Sequence, residues 1–129
     1  MTRIMNRQDA SKVDQWVCDT LGLKWIDNHV DAIDDYGNEY EIKSCLPYIP
    51  HTVRGKQYLR TGCFALFDKD LEDDDLNLIF VLKLNGHYQI LAQTKAKDVR
   101  QIINSNHESH KVSWFDIDKH FGGEQRLCR

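Results

Sequence analysis

At 129 residues the chain has room for one domain with its own core, but not for a separate recognition domain, and its formal net charge of −3 excludes a general nucleic-acid coat, which needs a basic surface to neutralise phosphate. No apolar run is of transmembrane length and no charged-then-apolar leader is visible, so a cytoplasmic protein without a membrane partner is expected. Cys18, Cys45, Cys63 and Cys128 show no C-x-x-C spacing, which favours reduced thiols over a zinc site or a disulfide frame.

Along the chain, Val13, Trp16, Val17 and Leu21 recur at helical spacing, Ser11 or Asp9 can cap the start, and Gly22 can end it. The spacing therefore predicts an amphipathic helix from Asp9 to Leu21. Asp14 flanks the apolar stripe of this helix, where an acid is also stable as a surface charge near the positive end of the helix dipole. Two short apolar runs then enclose Asp35-Tyr36-Gly37-Asn38, whose Asp, Gly and Asn tolerate positive φ or bond their own backbone, and a β-hairpin is predicted. On its second strand Glu39, Glu41, Lys43 and Cys45 share one face and Tyr40, Ile42 and Ser44 the other. A hairpin centred near Tyr36 and Gly37 sets Asp31 opposite residue 41 or 42, within reach of the pocket that Glu41 enters.

Pro47 and Pro50 predict an interruption of regular structure. Beyond them Arg54, Lys56, Tyr58 and Arg60 form a basic stretch suited to nucleic acid: the cations hold phosphate and the ring stacks on a base or sugar. A solvated basic loop is the plain alternative. Cys63 to Phe67 is a short apolar run. Asp68 to Asp75 lacks the spacing and bidentate Glu of a calcium loop and reads as a solvated connection. Leu76 to Leu84 reads as a strand buried on both faces, Asn85-Gly86 as a type I′ turn, and His87 to Ala92 as the partner strand. Thr94 is expected to cap a helix reaching about Asn104, with Ala96, Val99, Ile102 and Ile103 inward, and Val112 to Phe121 to pack as a short strand or turn. This order implies an α/β core with a mixed sheet.

Two carboxylates held close together in a low-dielectric site repel, and such a pair usually persists because a cation neutralises it. An all-oxygen donor set favours Mg2+ or Mn2+, which holds a phosphate oxygen, acidifies a bound water and stabilises the leaving oxyanion. Lys43 beside the pair can orient that water and offset developing charge. As a plain solvated hairpin, the same residues would be ordinary surface charges.

With Asp31 before the turn and Glu41-Ile42-Lys43 after it, the segment resembles the PD-(D/E)xK nuclease superfamily, although Val30 stands where the family name has proline. The resemblance implies a single nuclease-like domain over residues 1–129, with a restriction-endonuclease-like core in which a mixed β-sheet is flanked by α-helices. It implies Asp31, Glu41 and Lys43 as catalytic residues, Asp14 as the helix acid that completes the site, and Asp31, Glu41 and the main chain at Ile42 around Mg2+ or Mn2+, with no organic cofactor. The implied activity is that of a hydrolase, a divalent-metal-dependent DNA endonuclease. Chain size suggests a homodimer acting on branched DNA such as a Holliday junction, ahead of a restriction-type or repair nuclease. The alternatives are a non-catalytic module of the same fold that binds nucleic acid or protein, and a metal-free inhibitor whose Asp68 to Asp75 run mimics DNA.

Overall fold

In the computed structural model, which describes residues 3–4, 11–27, 30–103 and 110–122, a short strand β1 (Arg3–Ile4) precedes helix α1 (Lys12–Leu21). The helix begins where Ser11 accepts a hydrogen bond from the Asp14 N–H at 3.2 Å and ends where Gly22 takes φ +70°. Asp9, the other candidate cap, lies outside the described residues. Strands β2 (Lys24–Asp27), β3 (Ala32–Ile33) and β4 (Glu39–Cys45) follow. A two-stranded ribbon, β5 (Tyr48–Val53) and β6 (Lys56–Thr61), comes next, and then β7 (Cys63–Leu66) and a single helical turn α2 (Asp68–Glu72). The chain continues through β8 (Asn77–Leu84), β9 (His87–Lys95), helix α3 (Ala96–Arg100), β10 (His110–Ser113), helix α4 (Trp114–Ile117) and a π-helical turn over Asp118–Gly122.

The main sheet has the order β1-β2-β3-β4-β8-β9. Its pairs are antiparallel except β4 with β8, which run parallel with Glu41 beside Leu78 and Lys43 beside Phe80. Parallel neighbours need a crossover, and here it consists of the ribbon, β7 and α2. The mixed α/β sheet expected from the sequence is present. Strand β8 lies between β4 and β9, with Leu78 to Leu82 buried as the unbroken apolar run predicts. On one face α1 packs Val17 and Cys18 against Ala32, Ile42, Ile79 and Val81. On the other, Phe64, Leu66, Leu71, Val99, Val112 and Ile117 pack against Leu78, Phe80 and Leu82. The Asn85-Gly86 turn joins β8 to β9, with Gly86 at φ +84°.

Four expectations are corrected. Strand β5 runs through Pro50, because each strand of a two-stranded ribbon has an open edge where a missing N–H leaves no ladder bond unmade. The stretch from Arg54 to Arg60 is therefore a turn and a strand, with Arg54 and Gly55 at φ +51° and +79°. Thr94 does not cap the following helix. It pairs with Leu78 in the β8–β9 ladder, so α3 starts at Ala96, whose N–H donates to the Leu76 carbonyl. Helix α3 ends at Arg100, and Asn104 lies outside the described residues. Finally, the acidic run is not a solvated connection throughout: α2 turns Asp70 and Leu71 inward.

The ribbon is fixed at its root. The Pro47 carbonyl accepts hydrogen bonds from the Gly62 N–H at 2.8 Å and the Trp114 Nε1–H at 2.7 Å, and the Gly62 carbonyl accepts from the Trp114 N–H at 3.1 Å. A Cβ on Gly62 would fall 1.7 Å from the Leu46 carbonyl oxygen, a clash with main chain that no rotamer change relieves. Gly62→Ala is therefore expected to destabilise the fold by about 3 kcal/mol. Urea unfolding of the two proteins checks this.

Candidate active site

Strand β3 pairs with β4 only through Ala32 with Tyr40 and Ile33 with Glu39. Beyond that point Asp31 takes over the edge: its N–H donates to the Tyr40 carbonyl at 3.0 Å, and its carboxylate accepts the Ile42 N–H at 2.8 Å. Continued one step, the register sets Asp31 level with Glu41, inside the window read from the sequence. The reversal between the strands is organised by Asp34. Its carboxylate accepts from the Asn38 side chain, from the N–H groups of Asn38 and Tyr36, and from the Tyr40 hydroxyl, and these bonds, Asn38's first, hold it below the usual carboxylate range.

Strand alternation turns Ile42 toward α1 and places Glu41 and Lys43 on the opposite face, in line with Leu78 and Phe80. There they meet a residue that the sequence reading left in solvent. Asp70, only 1% exposed, is delivered by α2 and accepts the Lys43 ammonium at 2.7 Å and the Phe67 N–H at 2.9 Å. The Lys43 ammonium also lies 4.8 Å from the centre of the Phe67 ring. Lys69, on the solvent side, reaches Glu41 Oε2 at 3.6 Å.

Burial, followed by the neighbouring Asp70 and Asp31 carboxylates, pushes the Glu41 carboxyl up to about 9. Burial alone would also raise Asp70, but hydrogen bonds from Glu41, Lys43 and the Phe67 N–H hold it below its ordinary value. The proton of the pair therefore sits on Glu41. Asp70 Oδ1 is buried and receives no N–H or hydroxyl donor among the described residues.

Asp14 is half-buried on α1, and its carboxyl is raised to about 6, chiefly by burial, with repulsion from Asp31 adding and the Ser11 bond opposing. It thus lies within the field of Asp31. Arg54, Lys56, Tyr58 and Arg60 are not part of the cluster. They stand on the ribbon, which leaves β4 after Cys45 and returns through β7 to Phe67 and Asp70. Asp70 had one usable signal in the sequence. It falls three positions after the end of an apolar run, the spacing at which an acid bonds the N–H at a helix start, and it is followed by Leu71, which interrupts the acidic run.

The donors suit a hard divalent cation. Asp31, Glu41 and Asp70 supply carboxylate oxygens, the free lone pairs of Asp70 Oδ1 are buried among them, and the Ile42 carbonyl projects to the same edge as its N–H, toward Asp31. As they stand, no three His, Cys, Asp or Glu side chains among the described residues form a complete chelate. Coordination by Glu41 requires loss of its proton.

That proton sets a pH dependence. A carboxyl whose folded-state pKa lies above its unfolded value binds more protons in the native state, so stability falls as pH rises from about 4.5 to about 9. Glu41→Gln keeps the shape and removes the ionisation. At pH 8 without metal it is expected to be more stable than the parent by at least about 1 kcal/mol, with the difference vanishing near pH 4. Denaturant unfolding across that range checks both. Compared with protein-family profiles, curated proteins and solved structures, the chain matches none.

Proposed function

We propose that the chain is a divalent-metal-dependent phosphodiesterase, an endonuclease acting on DNA, built on a restriction-endonuclease-like core. The observation that carries this reading is the convergence of Asp31 and Asp70 on Glu41, with Lys43 paired to Asp70 and Glu41 buried and raised to about 9. Perturbed acids grouped with a lysine are what hydrolysis of a phosphodiester needs, and a structural ion pair needs only one of them. The finer fold assignment is supported by the helix, hairpin and parallel β4–β8 pair around the motif.

In this reading Asp31, Glu41 and the Ile42 carbonyl hold Mg2+ or Mn2+, which supplies Lewis acidity toward a phosphate oxygen and acidifies a water. Asp31 is already oriented by the Ile42 N–H. Lys43 offers its ammonium to a non-bridging oxygen, where charge accumulates as the water adds. Asp70 holds that ammonium in place at 2.7 Å. Asp14 acts on Asp31 through its charge and has a positioning role. Cutting both strands of a duplex or a Holliday junction takes two such sites, which a homodimer would provide.

The non-catalytic binding module has one observation of its own: the Lys43–Asp70 ion pair and the proton on Glu41 already neutralise much of the cluster. The inhibitor reading loses ground. Asp70 is turned inward, and Asp68 and Asp74 of the acidic run pair with His110 and Arg100.

The deciding experiment is cleavage of labelled linear duplex, single strand, nicked duplex, four-way junction and RNA with Mg2+ or Mn2+. Lys43→Ala and Asp31→Ala are expected to lose at least about 100-fold relative to the parent. Calorimetry with Mn2+ is expected to show affinity lost in Asp31→Ala. A parent silent on every substrate, or variants that cut equally well, would put the binding module first.

A further inference from the structure

The ribbon is the feature that the carboxylate cluster does not absorb. From Tyr48 to Thr61 it carries three cations and no acid, in a chain whose net charge is −3. Every residue of β6 is exposed. The register sets Ile49, His51 and Val53 across from Arg60, Tyr58 and Lys56, and directly opposed residues of an antiparallel pair share a face. Lys56, Tyr58 and Arg60 therefore line one face with His51 beside Tyr58, and Arg54 stands at the tip. The other face, with Tyr48, Pro50, Thr52, Gln57, Leu59 and Thr61, carries no charge and is held to the body where Tyr48 meets Trp114 edge to face.

We infer that this ribbon is an arm that enters the major groove of B-form duplex DNA, with Lys56 and Arg60 on the phosphates of the two rims and Tyr58 and His51 toward the base edges. The inference rests on the proposed function only in taking DNA as the substrate. Lys56 and Arg60 are four residue steps of strand apart, about 14 Å. The major groove is about 12 Å wide and admits a two-stranded ribbon. A single-strand binder instead presents a basic groove with stacked aromatic platforms; the basic face of this exposed ribbon holds one tyrosine. The deep, narrow major groove of A-form RNA does not admit such an arm. Both legs of the arm lead to the cluster, one through β4 to Lys43 and Glu41, the other through β7 to Asp70. Its root is fixed by the Pro47, Gly62 and Trp114 hydrogen bonds. DNA seated on the arm is thereby registered to the carboxylates.

Fluorescence anisotropy in EDTA tests this without recourse to cleavage, using labelled duplex DNA, one of its single strands and duplex RNA against the parent, Lys56→Ala/Arg60→Ala and Tyr58→Ala. The parent is expected to bind duplex DNA at least about 10-fold tighter than the other two. The double variant, with unfolding unchanged, is expected to lose about 10-fold or more and to reduce the slope of log affinity against log salt by about 2, one unit for each phosphate contact. Tyr58→Ala is expected to weaken duplex binding with the salt slope unchanged. No parental binding, an unaltered salt slope in the double variant, or equal affinity for single strand or RNA would overturn the arm. So would a double variant that binds DNA normally but changes oligomeric state on sedimentation, which would make the ribbon a contact between copies. Loss of duplex binding in the double variant alongside a parent that cuts nothing would uphold the arm and defeat the nuclease.

Discussion

The buried ion pair between Lys43 and Asp70 is the constraint on which the rest of the site depends. Two ions removed from water give up several kcal/mol of hydration each, and their mutual attraction returns that only with close geometry and further hydrogen bonds. The 2.7 Å contact, the Phe67 N–H on Asp70 and the Phe67 ring beside the ammonium meet those conditions. Removing either partner would strand a buried charge, at a cost of about 3–5 kcal/mol. Glu41 follows from the same pair. Glu41 is itself buried, which disfavours its charged form first, and with Asp70 already anionic beside it and Asp31 fixed on the adjacent edge it keeps its proton.

Topology makes the pair possible. Lys43 comes from β4 and Asp70 from the end of the crossover that the parallel β4–β8 pairing demands. A crossover of minimal length would return directly over the sheet. This one first extends the β5–β6 ribbon, then pairs β7 with β10, and only then forms the single turn of α2 that presents Asp70. The ribbon does not loosen the return, because Gly62 allows the Leu46 carbonyl to approach its Cα and the Pro47 carbonyl takes two donors at the same point. An exposed, cationic element is thus tied at both legs to the segments that hold the acids and the lysine.

Local patterns were legible in the sequence wherever the physical signal was itself local. Ser11 and Gly22 mark the ends of α1, the turn before Asn38 fixes the hairpin register to within one residue, and the Leu78 to Leu82 run marks the doubly buried strand β8, because caps, turns and double burial act over a few residues. What was not legible depended on partners distant in sequence. Thr94 looks like a cap and is held in a strand by Leu78. Pro50 looks like a breaker and is accommodated because the ribbon has only one neighbour on each strand. Asp70 is set among Asp68, Asp73, Asp74 and Asp75 and shares their composition, and only the placement of β7 beside β4 decides that it alone faces Lys43. Lys24 to Asp27 carries too little alternation to announce itself and becomes strand β2 through pairing with β3. In the candidate site, Asp31, Glu41 and Lys43 come together as read, the ribbon cations stand apart from them, and the fourth member was missed.

Charge balance links the cluster to the proposed chemistry. With its proton on Glu41, the set of Asp31, Glu41, Asp70 and Lys43 carries one net negative charge; without it, the set carries two, which is what one divalent cation cancels. A site with fewer acids would hold such an ion poorly, and one with more would repel the phosphate it has to admit. The proton on Glu41 keeps the buried acids compatible with folding, and in the proposed chemistry a divalent cation would take its place. This accounts for a carboxyl pushed far from its ordinary value in a position where an apolar side chain would pack with less penalty. Glutamine at residue 41 would remove the ionisation that burial opposes, and it could not serve the proposed ion as a carboxylate does. A glutamate at this position, between two other acids and against the core, is what the proposed metal site would require at a cost in stability.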